Sequence, residues 1–340
     1  MNEIGVAPML TAINVPDLGP ADGEFTRLQT RHALQWVPLT SNLLDWRSKG
    51  VQFSRYRVAA QAALQAGSER FVISHLPPMT AAVAHLLRLR RSPAAHLGFA
   101  FNFTSLPVGL RFKYLKRAFE NVDQMAVFSA YEERLYAEYF DIDPTRFRRV
   151  VWTQQAPPVQ KAVEIGVQGP YLCAIGGEGR DFQLLLEVAR RLGSNVPVVI
   201  IARRHSVVGL VVPENVTVLS NISLAQVWGI ACGSRGVLVP LLQRNTCCGH
   251  ITLVSAKLLG LPVATTYADA TREYVEGRRA VLECEPGDVT AYTDLARRLL
   301  EDKDDLQEAA RAAIAQELEL HDRRIWAQYL DRFIEERVSC

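Results

Sequence analysis

From residue 171 onward short β-branched strands alternate with helical segments, and this pattern sharply limits the folds open to the chain. Candidate strands cover residues 171–175, 198–202, 216–219, 236–239, 263–265 and 280–282. Strand–helix–strand alternation of this kind argues for a parallel sheet with helices on both faces. The helix before the fifth strand stops at Gly260, and Pro262 cannot continue it; another helix, about 289–300, begins after Pro286-Gly287-Asp288. The first half alternates less clearly, with candidate strands at 9–14, 35–39, 71–74, 96–101, 125–128 and 149–152. A chain of 340 residues is long for one domain and comfortable for two. The fold class is therefore α/β, with two doubly wound domains in tandem.

Between the two halves lies Thr153-Gln-Gln-Ala-Pro-Pro-Val-Gln-Lys161, polar and double-proline, which reads as a connector. The expected layout is an N-terminal domain over residues 1–152, a linker over 153–166, a C-terminal domain over 167–320, and a last helical segment, 321–340, that crosses back to the first domain.

The richest local signal is Tyr171-Leu-Cys-Ala-Ile-Gly-Gly-Glu-Gly-Arg-Asp181. An apolar strand runs into three glycines, and an Arg-Asp pair then opens a helix carrying Phe182, Leu185, Leu186, Ala189 and Leu192 at helical spacing. Glycines let the backbone approach an anion, and a helix start directs N–H groups and the positive end of its dipole at it. Arg180 adds a fixed charge capable of bidentate contact. The loop matches neither G-x-G-x-x-G nor the Walker pattern.

Net charge is +2 with 22% charged residues, so bulk nucleic-acid binding, which needs a marked basic excess, is not indicated. The six cysteines, Cys173, Cys232, Cys247, Cys248, Cys284 and Cys340, form no C-x-x-C pair and no zinc spacing with histidine. A reduced, cytoplasmic protein without a metal site is expected. The sequence has no basic-then-apolar leader and no apolar run long enough to span a bilayer.

Charge is distributed unevenly all the same. Arg70 to Phe119 contains no Asp or Glu, yet holds Arg70, Arg88, Arg90, Arg91, Arg111, Lys113, Lys116 and Arg117. Basic and apolar side chains interleave at 86–91 and 110–117 in the manner of helices that lie on anionic lipid, which would make the protein peripheral on the inner membrane face. Solvated helix ends are the plainer alternative.

The run Cys248-Gly-His-Ile-Thr-Leu-Val-Ser-Ala-Lys-Leu-Leu-Gly-Leu-Pro-Val-Ala-Thr-Thr266, then Arg272-Glu-Tyr-Val-Glu-Gly277 and Pro286-Gly-Asp288, resembles the C-terminal signature of family 4 glycosyltransferases. In the first half, Ser129-Ala-Tyr-Glu-Glu-Arg134 and the segment 147–151 are similar to the family's approach to the linker. The resemblance implies the GT-B fold, two Rossmann-like domains facing a cleft, and a glycosyltransferase acting in bacterial surface polysaccharide synthesis. It also implies a UDP- or GDP-linked sugar as donor, no further cofactor, and a glycan, lipid-linked or other hydroxyl acceptor. Family members carry two glutamates separated by seven residues, one near the donor sugar and one near the ribose. Here those positions are Cys247 and Ser255, neither a carboxylate.

On this resemblance Gly176, Gly177 and Arg180 approach the diphosphate from one side, and Gly249, His250, Ile251 and Thr252 at a second helix start from the other. Arg203 is the next cation, and the base stacks near Asn221 and Ile222. Fixed dipoles and guanidinium would stabilise the charge developing on the β-phosphate without a metal. On the acceptor side His75, after an apolar strand, could position or deprotonate a hydroxyl, and Asn102 has similar placement. As catalytic residues His75, Asn102 and Arg180 are the candidates; Asp22 and Glu24 are the carboxylates nearest the first-strand loop. Two alternatives compete: a non-catalytic GT-B scaffold in a polysaccharide-assembly complex, and a sugar-nucleotide epimerase, for which no convincing carboxylate pair is found.

Overall fold

A computed structural model describes residues 9–17, 24–40, 51–161 and 163–338. Asp22 lies outside the described residues, and Glu24 opens a short 3-10 turn over Glu24–Arg27. The chain divides into two compact units, one formed by Met1–Val151 with Arg323–Cys340 and the other by Trp152–Asp322.

Unit 1 holds six parallel strands: β1 (Leu10–Val15), β2 (Leu34–Pro38), β3 (Arg70–His75), β4 (His96–Phe99), β5 (Gln124–Val127) and β6 (Phe147–Arg149). They stand in the order β2-β1-β3-β4-β5-β6, so strand order reverses between β1 and β3. Four helices belong to this sheet: α1 (Val51–Gln65), α2 (Pro77–Leu89), α3 (Gly109–Phe119) and α4 (Ala130–Phe140). Two prolines begin α2, where a missing N–H costs nothing. Ser129 caps α4 by accepting from the Glu132 N–H, and Asp141 closes it in the left-handed region. Two expected strands shift at their ends. Ala100 adopts φ 52° and ends β4 two residues short of 101, while pairing with Met125–Val127 selects Phe147–Arg149 instead of 149–152.

Unit 2 repeats the plan with β7 (Leu172–Ile175), β8 (Val198–Ile201), β9 (Val216–Leu219), β10 (Val237–Val239), β11 (Val263–Thr266) and β12 (Val281–Cys284). Its order is β12-β11-β10-β7-β8-β9, all parallel, with the reversal between β7 and β10. The helices are α5 (Phe182–Leu192), α6 (Leu224–Gly233), α7 (His250–Leu258), α8 (Arg272–Val275), α9 (Val289–Glu301), α10 (Lys303–Ala312) and α11 (Ile314–Leu320). The apolar positions that predicted α5 bury Phe182, Leu185, Leu186 and Ala189 in an aliphatic core with Leu172, Ile200 and Leu238.

The last helix, α12 (Arg324–Arg337), belongs to unit 1. Trp326 Nε1 donates to the Val151 carbonyl at 2.8 Å, Gln124 donates to the Tyr329 hydroxyl at 2.7 Å, and Asp331 accepts from the Arg31 N–H at 2.9 Å. The proline-bearing connector is bound to unit 2 at both ends. Trp152 N–H donates to the Tyr274 hydroxyl at 2.9 Å, Gln154 N–H to the His321 carbonyl at 3.2 Å, and Gln160 N–H to the Ala225 carbonyl at 2.9 Å. A segment with no ladder of its own must place its backbone donors elsewhere, and here it places them on its neighbours.

Candidate functional site

In an open parallel sheet, ligands bind at the carboxyl ends of strands where the order reverses. In unit 2 that point lies between β7 and β10, and the two loops singled out in the sequence meet there. Gly176 leaves β7 at φ +130° with its N–H donated to the Ile201 carbonyl at 3.1 Å. A Cβ at this residue would lie 2.8 Å from Arg180 Nε, so only glycine lets the guanidinium fold back over the loop. The loop is pinned to the strand-end partner: Asp181 N–H donates to the Pro240 carbonyl at 2.9 Å and Leu242 N–H to the Gly179 carbonyl at 3.0 Å. Thr266, at the end of β11, buttresses Leu241 through both its N–H and its carbonyl.

Arg180 joins the two loops. Its Nε donates to the Ile175 carbonyl at 3.3 Å, its Nη2 to Thr252 Oγ1 at 3.1 Å, and its Nη1 approaches Cys248 Sγ at 3.6 Å. The guanidinium is thereby immobilised beside the start of α7. Gly249, at φ +108°, is the residue before that helix and brings no side chain to cap it. The first N–H groups of an α-helix have no partner within the helix, so an uncapped start presents donors and the positive end of the dipole.

The two helix starts are not equivalent. Asp181 caps α5, accepting from the Leu184 N–H at 2.8 Å. A carboxylate already occupies the position an anion would take, so the expectation of two helix dipoles converging on one phosphate is corrected. The first loop contributes Arg180 and its glycines, and the second contributes the helix.

Three further expectations change. His250 is 4% exposed; its Nε2 lies 2.9 Å from the Ala270 carbonyl, its ring stands edge-on to Tyr274 at 4.8 Å, and burial holds its pKa near 4. The ring belongs to the core, and only the backbone of this residue faces the loop end of the helix. Ser255 is 2% exposed and its hydroxyl accepts from the Gln154 side chain, so it is buried and already hydrogen-bonded within the protein. Cys247 is 1% exposed, with its thiol toward the Asn245 carbonyl at 3.6 Å, so it cannot stand in for a sugar-binding carboxylate.

The remaining unit 2 candidates lie around the same strand ends. Arg203, after β8, is exposed and pairs with Glu178 of the glycine loop at 3.6 Å. Asn221, at φ 59°, and Ile222 form the turn after β9, where Ser223 and Gln226 build a capping box for α6. Ile251 is exposed on the first turn of α7 and Thr252 is buried against Arg180. Cys248, Glu178 and Thr266 were assigned no role at the ligand site, and for Thr266 the only signal is a hydroxyl at the end of an apolar strand.

In unit 1 the reversal lies between β1 and β3, and His75 ends β3 there. Its Nε2 is 2.7 Å from Asn14 Oδ1 on β1, and Phe25 and Phe99 stand edge-on to the ring at 5.2 and 5.6 Å. Burial lowers the imidazole pKa to about 4, which keeps it neutral near pH 7. Asn14 was missed, although an asparagine inside the strand sequence Leu-Thr-Ala-Ile-Asn-Val is itself a signal. Asn102 lies in the loop after β4, half-buried beside Phe101 and Phe103. Among the described residues no three His, Cys, Asp or Glu side chains are grouped to hold a metal, and no helix is long and apolar enough to cross a membrane.

No family model matches the sequence, and no curated protein is similar to it in sequence. Solved structures are similar in fold. Sucrose-phosphate synthase from Thermosynechococcus elongatus superposes with a TM-score of 0.70 at 14% identity, over 96% of this chain and 88% of that one. Anabaena HepE, in complex with UDP and glucose, gives 0.72 at 11% identity, over 96% and 100%. The lipopolysaccharide outer core galactosyltransferase WaaB, in its apo form, gives 0.60 at 10%, over 96% and 100%. The two Rossmann-like units are those of the GT-B fold.

Proposed function

We propose that this chain is a glycosyltransferase that moves a sugar from a nucleotide-diphosphate sugar to a hydroxyl acceptor. The observation that carries the proposal is Arg180, held between the glycine loop and the uncapped start of α7 at the reversal point of unit 2. The diphosphate would lie against Gly177, the Arg180 guanidinium and the first turn of α7, with Arg203 at the rim. As the glycosidic bond breaks, charge grows on the β-phosphate, and a fixed guanidinium with oriented N–H groups stabilises it without reorganisation or a metal. The base would stack near Asn221 and Ile222. HepE, of the same fold, binds UDP-glucose, which supports a uridine donor before a guanosine one. In unit 1, a neutral His75 oriented by Asn14 would position or deprotonate the acceptor hydroxyl, with Asn102 in the loop that follows the neighbouring strand β4. The acceptor would be a glycan or a lipid-linked saccharide of a bacterial surface polysaccharide.

Thermal shift and calorimetry with UDP-, GDP- and ADP-sugars test the donor site directly. One nucleotide should stabilise the protein, and Arg180→Ala should weaken it by about 2–3 kcal/mol, roughly a hundredfold in Kd. Unchanged affinity in that variant removes Arg180 from the site. Transfer that persists in excess chelator supports the metal-free mechanism, and its loss there overturns it. Cys247 and Ser255 favour one second possibility, a GT-B scaffold without turnover, because neither residue can hold the sugar as a carboxylate would. Nucleotide-sugar binding with neither transfer nor hydrolysis would decide for the scaffold.

A further inference from the structure

Two helices of the acid-free stretch, α2 and α3, share one surface. α2 and α3 carry opposed faces: His85, Arg88 and Leu89 on α2 line a groove of about 660 Å³ with Lys113, Tyr114 and Arg117 on α3. Tyr114 ties the groove together. Its ring lies 4.5 Å from that of His85, its carbonyl is 3.1 Å from His85 Nε2, and its hydroxyl bonds to that of Tyr56 on α1 at 2.7 Å. Leu110, Lys113, Tyr114 and Arg117 fall at i, i+3, i+4 and i+7, so they share one stripe of α3.

Two observations separate this face from an ordinary solvated one. The first is its unpaired charge. Among the described residues no carboxylate pairs with Arg88, Lys113 or Arg117, whereas Lys116, turned away on the same helix, pairs with Asp141 at 3.0 Å. Six exposed arginines of unit 2, Arg190, Arg244, Arg272, Arg279, Arg297 and Arg298, behave like Lys116 and sit within ion-pair distance of a carboxylate, although Arg204 and Arg311 have no such partner among the described residues. The second is apolar exposure beside the cations. Leu89 is 78% exposed and Leu110 84%, with Val108 also exposed at the start of α3. Cations gathered without counter-charge repel one another, and leucines in water lose the gain of burial; a partner that is anionic at its surface and apolar just beneath relieves both costs. His85 registers the local field as well: burial lowers its pKa, its bond to Tyr114 raises it, and Arg117 and Arg88 lower it again.

We propose that the α2–α3 face of unit 1 docks on an anionic phospholipid bilayer, with Arg88, Lys113 and Arg117 meeting lipid phosphates and Leu89 and Leu110 entering the interface. Charge complementarity selects this occupant, and the interleaved leucines distinguish it from a soluble polyanion, which has no apolar layer to receive them. The proposal does not depend on the glycosyltransferase assignment, since it uses none of the residues at either strand-order reversal.

Vesicle sedimentation of the full chain without nucleotide sugar tests it, comparing phosphatidylcholine alone with the same lipid carrying about one-third phosphatidylglycerol. Binding should appear only with the anionic lipid and fall with salt. The triple variant R88Q/K113Q/R117Q should lose roughly a hundredfold in partitioning, as three surface cations are removed. L89S/L110S should lose less, about tenfold, while keeping its salt dependence. Unchanged thermal melting and circular dichroism in both variants establish that the fold is intact. Equal recovery on neutral and anionic vesicles, or capture by polyphosphate or heparin with none by vesicles, overturns the proposal.

Discussion

Two parallel sheets of six strands in one chain handle polar and bulky side chains in different ways. Unit 2 has an aliphatic core and encloses its charges: Lys257 Nζ lies 2.6 Å from Glu317, Arg278 3.0 Å, and His321 3.2 Å from the same carboxylate. Burial pushes the Glu317 carboxyl up, but His321, Lys257 and Arg278 outweigh it and hold the pKa near 2. Unit 1 fills the end of its sheet with rings. Phe101 meets Phe119 at 4.7 Å, Phe103 at 5.6 Å and Tyr136 at 5.7 Å, edge-on in each case, and on the α2–α3 face Arg88, Lys113 and Arg117 have no carboxylate partner among the described residues. The reversal points follow suit, with an immobilised guanidinium in unit 2 and a neutral imidazole in unit 1. The same topology thus places a fixed cation at the reversal point of one half and a neutral ring at that of the other, because the strand ends fix where side chains converge and not which ones they are.

The largest effects should come from the two cores. Glu317→Ala strands Lys257 in a buried position and should cost about 3–5 kcal/mol. Phe101→Ala opens a cavity among four rings and should cost about 3–5 kcal/mol as well. Hydrogen exchange followed by strand should show Glu317→Ala loosening β10 and β11, and Phe101→Ala loosening β4 and β5. Equal loosening of all four by either variant would break the division into two charge regimes.

Acid should come next. His96 is buried in unit 1 with its pKa near 3, His75 in the same unit is near 4, and His250 in unit 2 is near 4, all through burial. Each value is below the 6.5 of the unfolded chain, so the unfolded state binds more protons between the two values. Stability is complete above about pH 6.5 and falls as pH drops, by about 2 kcal/mol per fully buried histidine at about pH 5. Glu317 retains its contribution down to the ordinary glutamate value of 4.5, because a carboxyl held near 2 loses stability only as pH falls below that value. Unit 1 should therefore loosen first when hydrogen exchange is repeated at about pH 5, and earlier loosening of unit 2 would reverse the comparison. The smallest expected effect is Arg203→Ala on nucleotide-sugar affinity. Arg203 is well exposed and shared with Glu178, so the loss should stay under about 1 kcal/mol by calorimetry.

How much of this was legible depends on range. The glycine loop and Arg180 are visible because strand, glycines and helix follow one another within a few residues. The α7 start is visible for the same reason, but the direction of the His250 ring is not. Its partners, Ala270 and Tyr274, come from a later segment, and no spacing within Gly249–Thr252 encodes them. The self-capping of α5 was readable at Asp181, since aspartate is among the strongest N-cap residues. Asn14, opposite His75 across 61 residues, needed the strand pairing before it could be found.

The sequence by itself determined the two parallel sheets, the bounds of most strands, and the acid-free stretch that becomes the α2–α3 face. These are matters of periodicity and composition, which act over one or two turns of chain. Only tertiary structure decided that Arg180 spans both loops, that Cys247 and Ser255 are buried, and that Lys257, Arg278, Glu317 and His321 share one network. Such groupings depend on which strand ends lie side by side, and strand order is settled by packing among distant segments.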